Sequence, residues 1–180
     1  RDQAYSGKRG AYKSVPYVTV NGVLLKSSDY KVSYYKDPDR TQVIDGRTTS
    51  SSIDLTEQDN QTVYVKIEGK GNYEGILTAE YNVYKLTEGV IDLTKAKVNF
   101  VGGNKAVYTG EGVGPDIEIL YKEGKKWEKI DANDIGTYIT VTYINNVNRG
   151  KATVMINGSG GRYVGSKTAV FNIVAKSINY

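Results

Sequence analysis

The sequence predicts an all-β chain of two tandem antiparallel β-sandwich domains. Three observations carry this: a block order that occurs twice, an apolar period of two inside the blocks, and turn-forming residues between them. The repetition comes first. Tyr5-Ser6-Gly7 recurs as Tyr108-Thr109-Gly110, Pro16-Tyr17-Val18-Thr19-Val20 as Pro115-Asp116-Ile117-Glu118-Ile119, and Val32-Ser33-Tyr34 as Val141-Thr142-Tyr143. Each copy closes alike, with Val65-Lys66-Ile67-Glu68-Gly69 and Gly71-Asn72-Tyr73-Glu74-Gly75 against Val154-Met155-Ile156-Asn157-Gly158 and Gly161-Arg162-Tyr163-Val164-Gly165. An aromatic residue, Tyr81 or Phe171, then follows the last glycine at the same distance in both.

The spacing between blocks shows where the copies differ. Between Tyr34 and Ile67 lie 33 positions, against 13 between Tyr143 and Ile156, so copy one carries about 20 extra residues within 37–61. Copy two has a smaller excess around residues 122–136. The predicted domains are 1–87, with the insertion at 37–61, and 88–180, with an extended hairpin at 122–136. Copy two opens on Ile91-Asp92-Leu93-Thr94-Lys95-Ala96-Lys97-Val98-Asn99-Phe100, read as a first strand that has no counterpart ahead of Tyr5. That reading implies a piece of a longer array in which copy one lacks its first strand.

Within the blocks, Val63, Val65 and Ile67 alternate with Tyr64 and Lys66, and Leu77, Ala79, Tyr81 and Val83 alternate with Thr78, Glu80 and Asn82. Ala152, Val154 and Ile156, then Ala169, Phe171 and Ile173, do the same in copy two. Alternation of this kind describes strands with one face on a core and one in water. Asn21-Gly22 between Val20 and Val23 is a two-residue hairpin signal, because both residues accept positive φ. Asp45-Gly46 predicts a second hairpin inside the insertion, pairing Gln42-Val43-Ile44 with Arg47-Thr48-Thr49. No window holds a capped 3.6-residue period, and a single helical turn is expected near residues 54–60.

Composition narrows the chemistry. Sixteen Tyr and 20 Gly stand beside 2 Phe, 1 Trp and 1 Met, with neither Cys nor His. Without Cys or His the chain has no thiol nucleophile, no imidazole base and none of the usual zinc or copper ligands, so no enzyme activity and no cofactor are expected. The net charge of +4 is spread through alternating acids and bases, with no run that would mark nucleic-acid binding or membrane insertion. Loop acids at Asp54, Glu57 and Asp59, and at Asp131 and Asp134, have no second feature that would make a glycosidase pair. With Asp37 and Asp39 they also lack the spacing of the roughly 12-residue EF-hand loop. The glycine-rich segments lead into strands rather than helices, so they read as turns and not as phosphate cradles. Tyr73 and Tyr163 within them are expected to fold back on the sandwich end as plugs.

The block order resembles a bacterial Ig-like repeat family found in cell-surface proteins of Gram-positive gut Firmicutes. Asp29-Tyr30-Lys31-Val32-Ser33-Tyr34 is similar to its Asp-Tyr-x-Val-x-Tyr element, and Asn145-Asn146-Val147-Asn148-Arg149-Gly150 to its Asn-Asn-x-x-x-Gly turn. Copy one replaces that turn with the insertion. The resemblance implies an Ig-like sandwich, an extracellular or cell-surface location, and a non-catalytic role within a larger surface protein. Its members act as spacers or binding modules beside hydrolases and adhesins.

Function on such folds lives in grafted loops, so a binding surface is expected where one copy exceeds the other. The candidates are Tyr35, Val43, Ile44, Asp45 and Arg47 in and beside the insertion, and Trp127, the one Trp, in the extended hairpin. Trp127 reads chiefly as packing beneath its own hairpin, and secondarily as a platform for a sugar ring. The expected partner is a host extracellular protein, such as an immunoglobulin or other glycoprotein, or a glycan. The alternatives are a passive spacer and a carbohydrate-binding module of a linked glycoside hydrolase. An exposed edge in copy one offers a further route, β-augmentation.

Overall fold

A computed structural model describes residues 1–8 and 12–178. The chain is all-β and divides into two compact units, Arg1–Glu88 and Gly89–Tyr180.

Unit 1 contains β1 (Gln3–Ala4), β2 (Thr19–Val20), β3 (Val23–Leu24), β4 (Tyr30–Tyr35), β5 (Asn60–Gly69) and β6 (Ile76–Tyr84). Strands β4, β5 and β6 form an antiparallel sheet, to which β1 adds in parallel beside β6, in the order β1-β6-β5-β4. The predicted alternation on β5 holds, with Val63, Val65 and Ile67 buried between half-exposed neighbours. Opposite this sheet lies the β2/β3 hairpin, whose turn places Asn21 at φ 51° and Gly22 at φ 77°, as the Asn-Gly pair predicts.

Unit 2 contains β7 (Ile91–Asp92), β8 (Lys97–Phe100), β9 (Lys105–Val107), β10 (Ile117–Glu123), β11 (Lys126–Lys129), β12 (Ile139–Ile144), β13 (Gly150–Gly158), β14 (Tyr163–Val164) and β15 (Ser166–Val174). One sheet runs β12-β13-β15-β9 and the other β11-β10-β8, with a short β14/β7 pair at one end. Ile119, Ile130, Ile139, Ile156, Leu93 and Tyr163 fill one part of the core. Phe171, Ala152 and Ile173 fill another, where the Phe171 ring meets Tyr143 edge-on at 5.9 Å.

The sequence repeat is also a repeat of hydrogen bonds and register. Tyr34 pairs with Val65 and Val32 with Ile67, as Tyr143 pairs with Val154 and Val141 with Ile156. The Tyr5 amide donates to the Tyr84 carbonyl at 2.7 Å, and the Tyr108 amide to the Val174 carbonyl at 2.9 Å. The Leu25 amide bonds Val18 as the Ile130 amide bonds Ile119. β1 is thus the counterpart of β9, and both join their sheets in parallel, which departs from the purely antiparallel pairing expected.

Four further expectations are corrected. The first strand of copy two is two short strands broken by a 3-10 turn at Leu93–Lys95, because the Asp92 carboxylate accepts from the Thr94 amide and turns Leu93 into the core. Residues 54–60 hold no helical turn; Asp54 accepts instead from the amide and hydroxyl of Thr56. The insertion is not a hairpin with paired strands, as described below. Leu77 and Ala79 are exposed although they share a face with buried Tyr81 and Val83. In unit 2 that end of the sheet is covered by the segment leading from β7 to β8, and among the described residues unit 1 has no such segment.

Candidate functional site

The insertion in unit 1 is a loop tied down at three depths. It leaves β4 through the Lys36 amide, which donates to the Gln42 carbonyl. The Asp37 carboxylate then gathers the amides of Thr41 and Gln42 and the Thr41 hydroxyl, at 2.7 to 3.1 Å. Arg40, at φ 57°, lays its Nε on the Val65 carbonyl at 3.2 Å, fixing the loop to the adjacent strand. The chain next runs briefly along the edge of β4: Val43 bridges Tyr35 in antiparallel fashion, and the Ile44 amide donates to the Tyr34 carbonyl.

Beyond this bridge the predicted second strand does not form. Asp45 folds residues 45–52 on themselves instead. Its carboxylate accepts from the Ser51 hydroxyl at 2.6 Å and the Arg47 amide at 2.9 Å, while the amides of Asp45 and Gly46 both reach the Ser51 carbonyl. The Ser51 hydroxyl and Arg47 amide together hold the Asp45 carboxyl below its ordinary value. At Asp37 some desolvation works the other way, yet the donated bonds from Gln42 and Thr41 hold that carboxyl low too. Thr48 and Ser52 close the loop, the Ser52 hydroxyl donating to the Thr48 carbonyl. Serine and threonine hydroxyls compete with the backbone for these bonds, which is why the run from Thr48 to Ser52 makes a knot and not a strand.

The loop is anchored from below. Ile44, Ile53 and Leu55 are 2%, 4% and 1% exposed and belong to the same core as Val63 and Val83. Ile44, expected on the binding surface, is therefore a core residue, because the Tyr35–Val43 bridge turns alternate side chains inward. Val43 faces outward and is 49% exposed. The Arg47 side chain stands outside at 85% exposure, with its Nε 3.6 Å from Asp45. Tyr35 is half-buried beside Val43. The structure thus brings Tyr35, Val43, Asp45 and Arg47 to one ordered, solvent-facing loop and withdraws Ile44 from it. Of the loop acids in unit 2, Asp131 serves a local turn by accepting from the Asn133 amide, whereas Asp134 accepts from the Tyr163 hydroxyl, 29 residues along the chain.

Trp127 belongs to unit 2, on the β10/β11 hairpin. The loop there is Gly124-Lys125, with Gly124 at φ 58°. Its ring, 39% exposed, lies on the outer face of the three-stranded sheet, cross-strand from Lys122, with the Lys97 Nζ 4.0 Å from the ring centroid. The expected packing of Trp127 beneath its hairpin is replaced by a cation stacked on an open sheet face. A pyranose approaching the Lys97 side of the ring would have to displace that ammonium.

Tyr163, read as a plug, is one: it is 2% exposed, and burial followed by its bond to Asp134 pushes its phenol up to about 12. Tyr73, its counterpart, is only half-buried.

No family model matches the chain, and no curated protein matches it. Among solved structures it is similar to cadherin-like domains 1 to 4 of zebrafish RET, at 9% identity and a TM-score of 0.23, over 82% of this chain and 41% of that one. It is similar also to a protocadherin gammaB4 extracellular domain, at 11% identity and a TM-score of 0.28, over 98% of this chain and 31% of that one. The chain spans less than half the length of either structure, and at these scores the β-sandwich assignment rests on the sheets themselves. Among the described residues no helix is long and apolar enough to cross a membrane, and no three or more Asp and Glu side chains gather as a metal site would require.

Proposed function

We propose that this chain is a non-catalytic recognition module of a bacterial cell-surface or secreted protein, made of two Ig-like repeats, 1–87 and 88–180. Its partner is a host extracellular protein, such as an immunoglobulin or another glycoprotein, and the contact is made by the insertion of unit 1. The observation that carries this reading is the order of the loop at residues 37–55. A spacer loop has no need of three buried anchors and two carboxylates saturated with local donors, whereas a binding loop gains affinity from being fixed before the partner arrives. The exposed edge of that loop offers Val43 as an apolar contact and Arg47 as a planar donor to carboxylates or sulfated sugars.

The test uses the full chain over immobilised polyclonal immunoglobulin and over immobilised mucin. Val43→Asp combined with Arg47→Glu should abolish retention on whichever surface binds, with unfolding unchanged. Unaltered retention, or none of the wild-type chain on either surface, would sink the proposal. Deleting residues 43–52 is the wrong probe, since it removes Ile44 and Ser52 from the interior.

A further inference from the structure

Unit 2 carries a cleft of about 510 Å³ beside its longer hairpin, bordered by Ile91, Lys95, Tyr121, Lys122, Glu123 and Arg162 among others. The hairpin builds one wall. Six residues separate Val18 from Leu25 in unit 1, whereas ten separate Ile119 from Ile130, the pair that makes the same amide-to-carbonyl bond in unit 2. The four extra residues carry β10 and β11 past the point where Asn21-Gly22 turns the shorter hairpin, and they set Lys122, Glu123 and Gly124 against the cleft. Another wall holds Arg162, which stands where unit 1 has Asn72. Lys122 and Arg162 are therefore features of unit 2 and not of the shared framework.

Two of the three cations are stationed by their neighbours. The Lys95 Nζ lies 3.3 Å from the Asp92 carboxylate, which also accepts from the amide and hydroxyl of Thr94, so that acid is engaged within its own segment. The Arg162 guanidinium lies 5.6 Å from the centroid of the Tyr163 ring, itself buried and held by Asp134. Stacking on a ring leaves the planar edge of guanidinium donors for a second partner. Glu123, the other acid at the cleft, stands opposite Lys126 in the hairpin register, which offsets its charge. Ile91 and Tyr121 pack half-buried against the core of unit 2 and border the cleft with apolar surface. The net charge of the chain also resides here: unit 1 has twelve acids and twelve bases, unit 2 eight acids and twelve bases.

We propose that this cleft binds an acidic sugar unit of an oligosaccharide. Arg162 receives the carboxylate or sulfate through its paired donors, Lys95 and Lys122 add ammonium donors, and Tyr121 with Ile91 meets the apolar face of the pyranose. Trp127 lies outside the lining of this cleft. Exposed cations give an affinity of about 1 mM, too weak for one copy to hold the chain on a surface. The site therefore acts alongside the insertion of unit 1 and not in its place.

The test titrates the isotope-labelled full chain with hexasaccharides of hyaluronan and chondroitin sulfate, and with chitohexaose as the neutral probe. The expected result is saturable amide shifts centred on residues 91–95, 121–124 and 162 with an acidic probe, and none with chitohexaose. Saturation by hyaluronan assigns the contact to a carboxylate; saturation by chondroitin sulfate alone assigns it to a sulfate. Lys122→Gln combined with Arg162→Gln should abolish the saturation, and both positions are exposed, so the fold tolerates the change. Lys105→Gln with Lys151→Gln removes the same charge from one row of the other sheet and should leave binding unchanged. Val43→Asp with Arg47→Glu should leave it unchanged too, which separates this site from the insertion. No saturation by either acidic probe, equal shifts with chitohexaose, shifts centred elsewhere, unchanged binding in the Lys122 and Arg162 variant, or an equal loss in either control variant would each overturn the proposal.

Discussion

A Cβ atom added to Gly158 would lie 2.5 Å from the carbonyl oxygen of Tyr163, and one added to Gly69 would lie 2.8 Å from that of Tyr73. Neither glycine is required for an unusual φ. Both are required because the returning turn crosses directly over them, which explains why this glycine is shared by the two copies. Alanine at Gly158 should cost about 1–3 kcal/mol by overpacking against backbone that cannot move aside, read as a lowered urea midpoint. Gly69→Ala should cost less, since the turn over it is uncovered and freer to shift.

The insertion should loosen before unit 1 unfolds. Replacing Asp45 by Ala removes the acceptor of the Ser51 hydroxyl and the Arg47 amide, and faster tryptic cleavage after Arg47 is the expected outcome, with the thermal midpoint nearly unchanged. Acid should act alike. The folded carboxyls of Asp37 and Asp45 titrate below the ordinary value of 3.8, so their contribution is complete above that pH and is lost as pH falls through the folded values. Cleavage by an acid-active protease should localise to residues 37–52 there.

Alkali should destabilise unit 2 through Tyr163. Its phenol ionises at about 12 in the fold against 10.0 unfolded, so the unfolded chain releases its proton first. The stabilisation is whole below pH 10 and disappears as pH rises toward 12. Tyr163→Phe should cost about 1 kcal/mol at neutral pH and make the alkaline decline between those values shallower, as followed by urea denaturation at a series of pH values.

Lys97 and Trp127 should act as a pair. Lys97→Met should change Trp127 fluorescence while altering stability by less than about 1 kcal/mol. Trp127→Ala should leave retention on a polysaccharide gel unchanged; a marked loss would favour the carbohydrate-binding alternative.

Much of the architecture is legible in the residues. The repeated blocks fix the shared register of Tyr34 with Val65 and Tyr143 with Val154, and Asn21-Gly22 fixes a hairpin by its own chemistry. The insertion is less legible, because Gln42-Val43-Ile44 has strand character but Arg47-Thr48-Thr49 is followed by hydroxyl side chains that bind backbone locally. The insertion offers Val43 and Ile44 alike as candidates; the bridge to Tyr35 decides which of the two faces inward, and that bridge is a tertiary contact. Leu77 and Ala79 fail for a similar reason. Period two names the face they share with Tyr81, but burial of that face needs a covering segment, and in this chain only unit 2 is seen to have one.

Amide hydrogen exchange on the full chain, comparing residues 76–79 with their counterparts 166–169 in one sample, bears most directly on the account of two like frameworks, one sealed and one open. The counterparts share a ladder, Ile67 with Leu77 and Ile156 with Lys167, so pairing alone predicts equal protection. The account predicts that residues 76–79 exchange at least tenfold faster, because local opening there exposes no buried cover. Equal protection at the two ladders would contradict it.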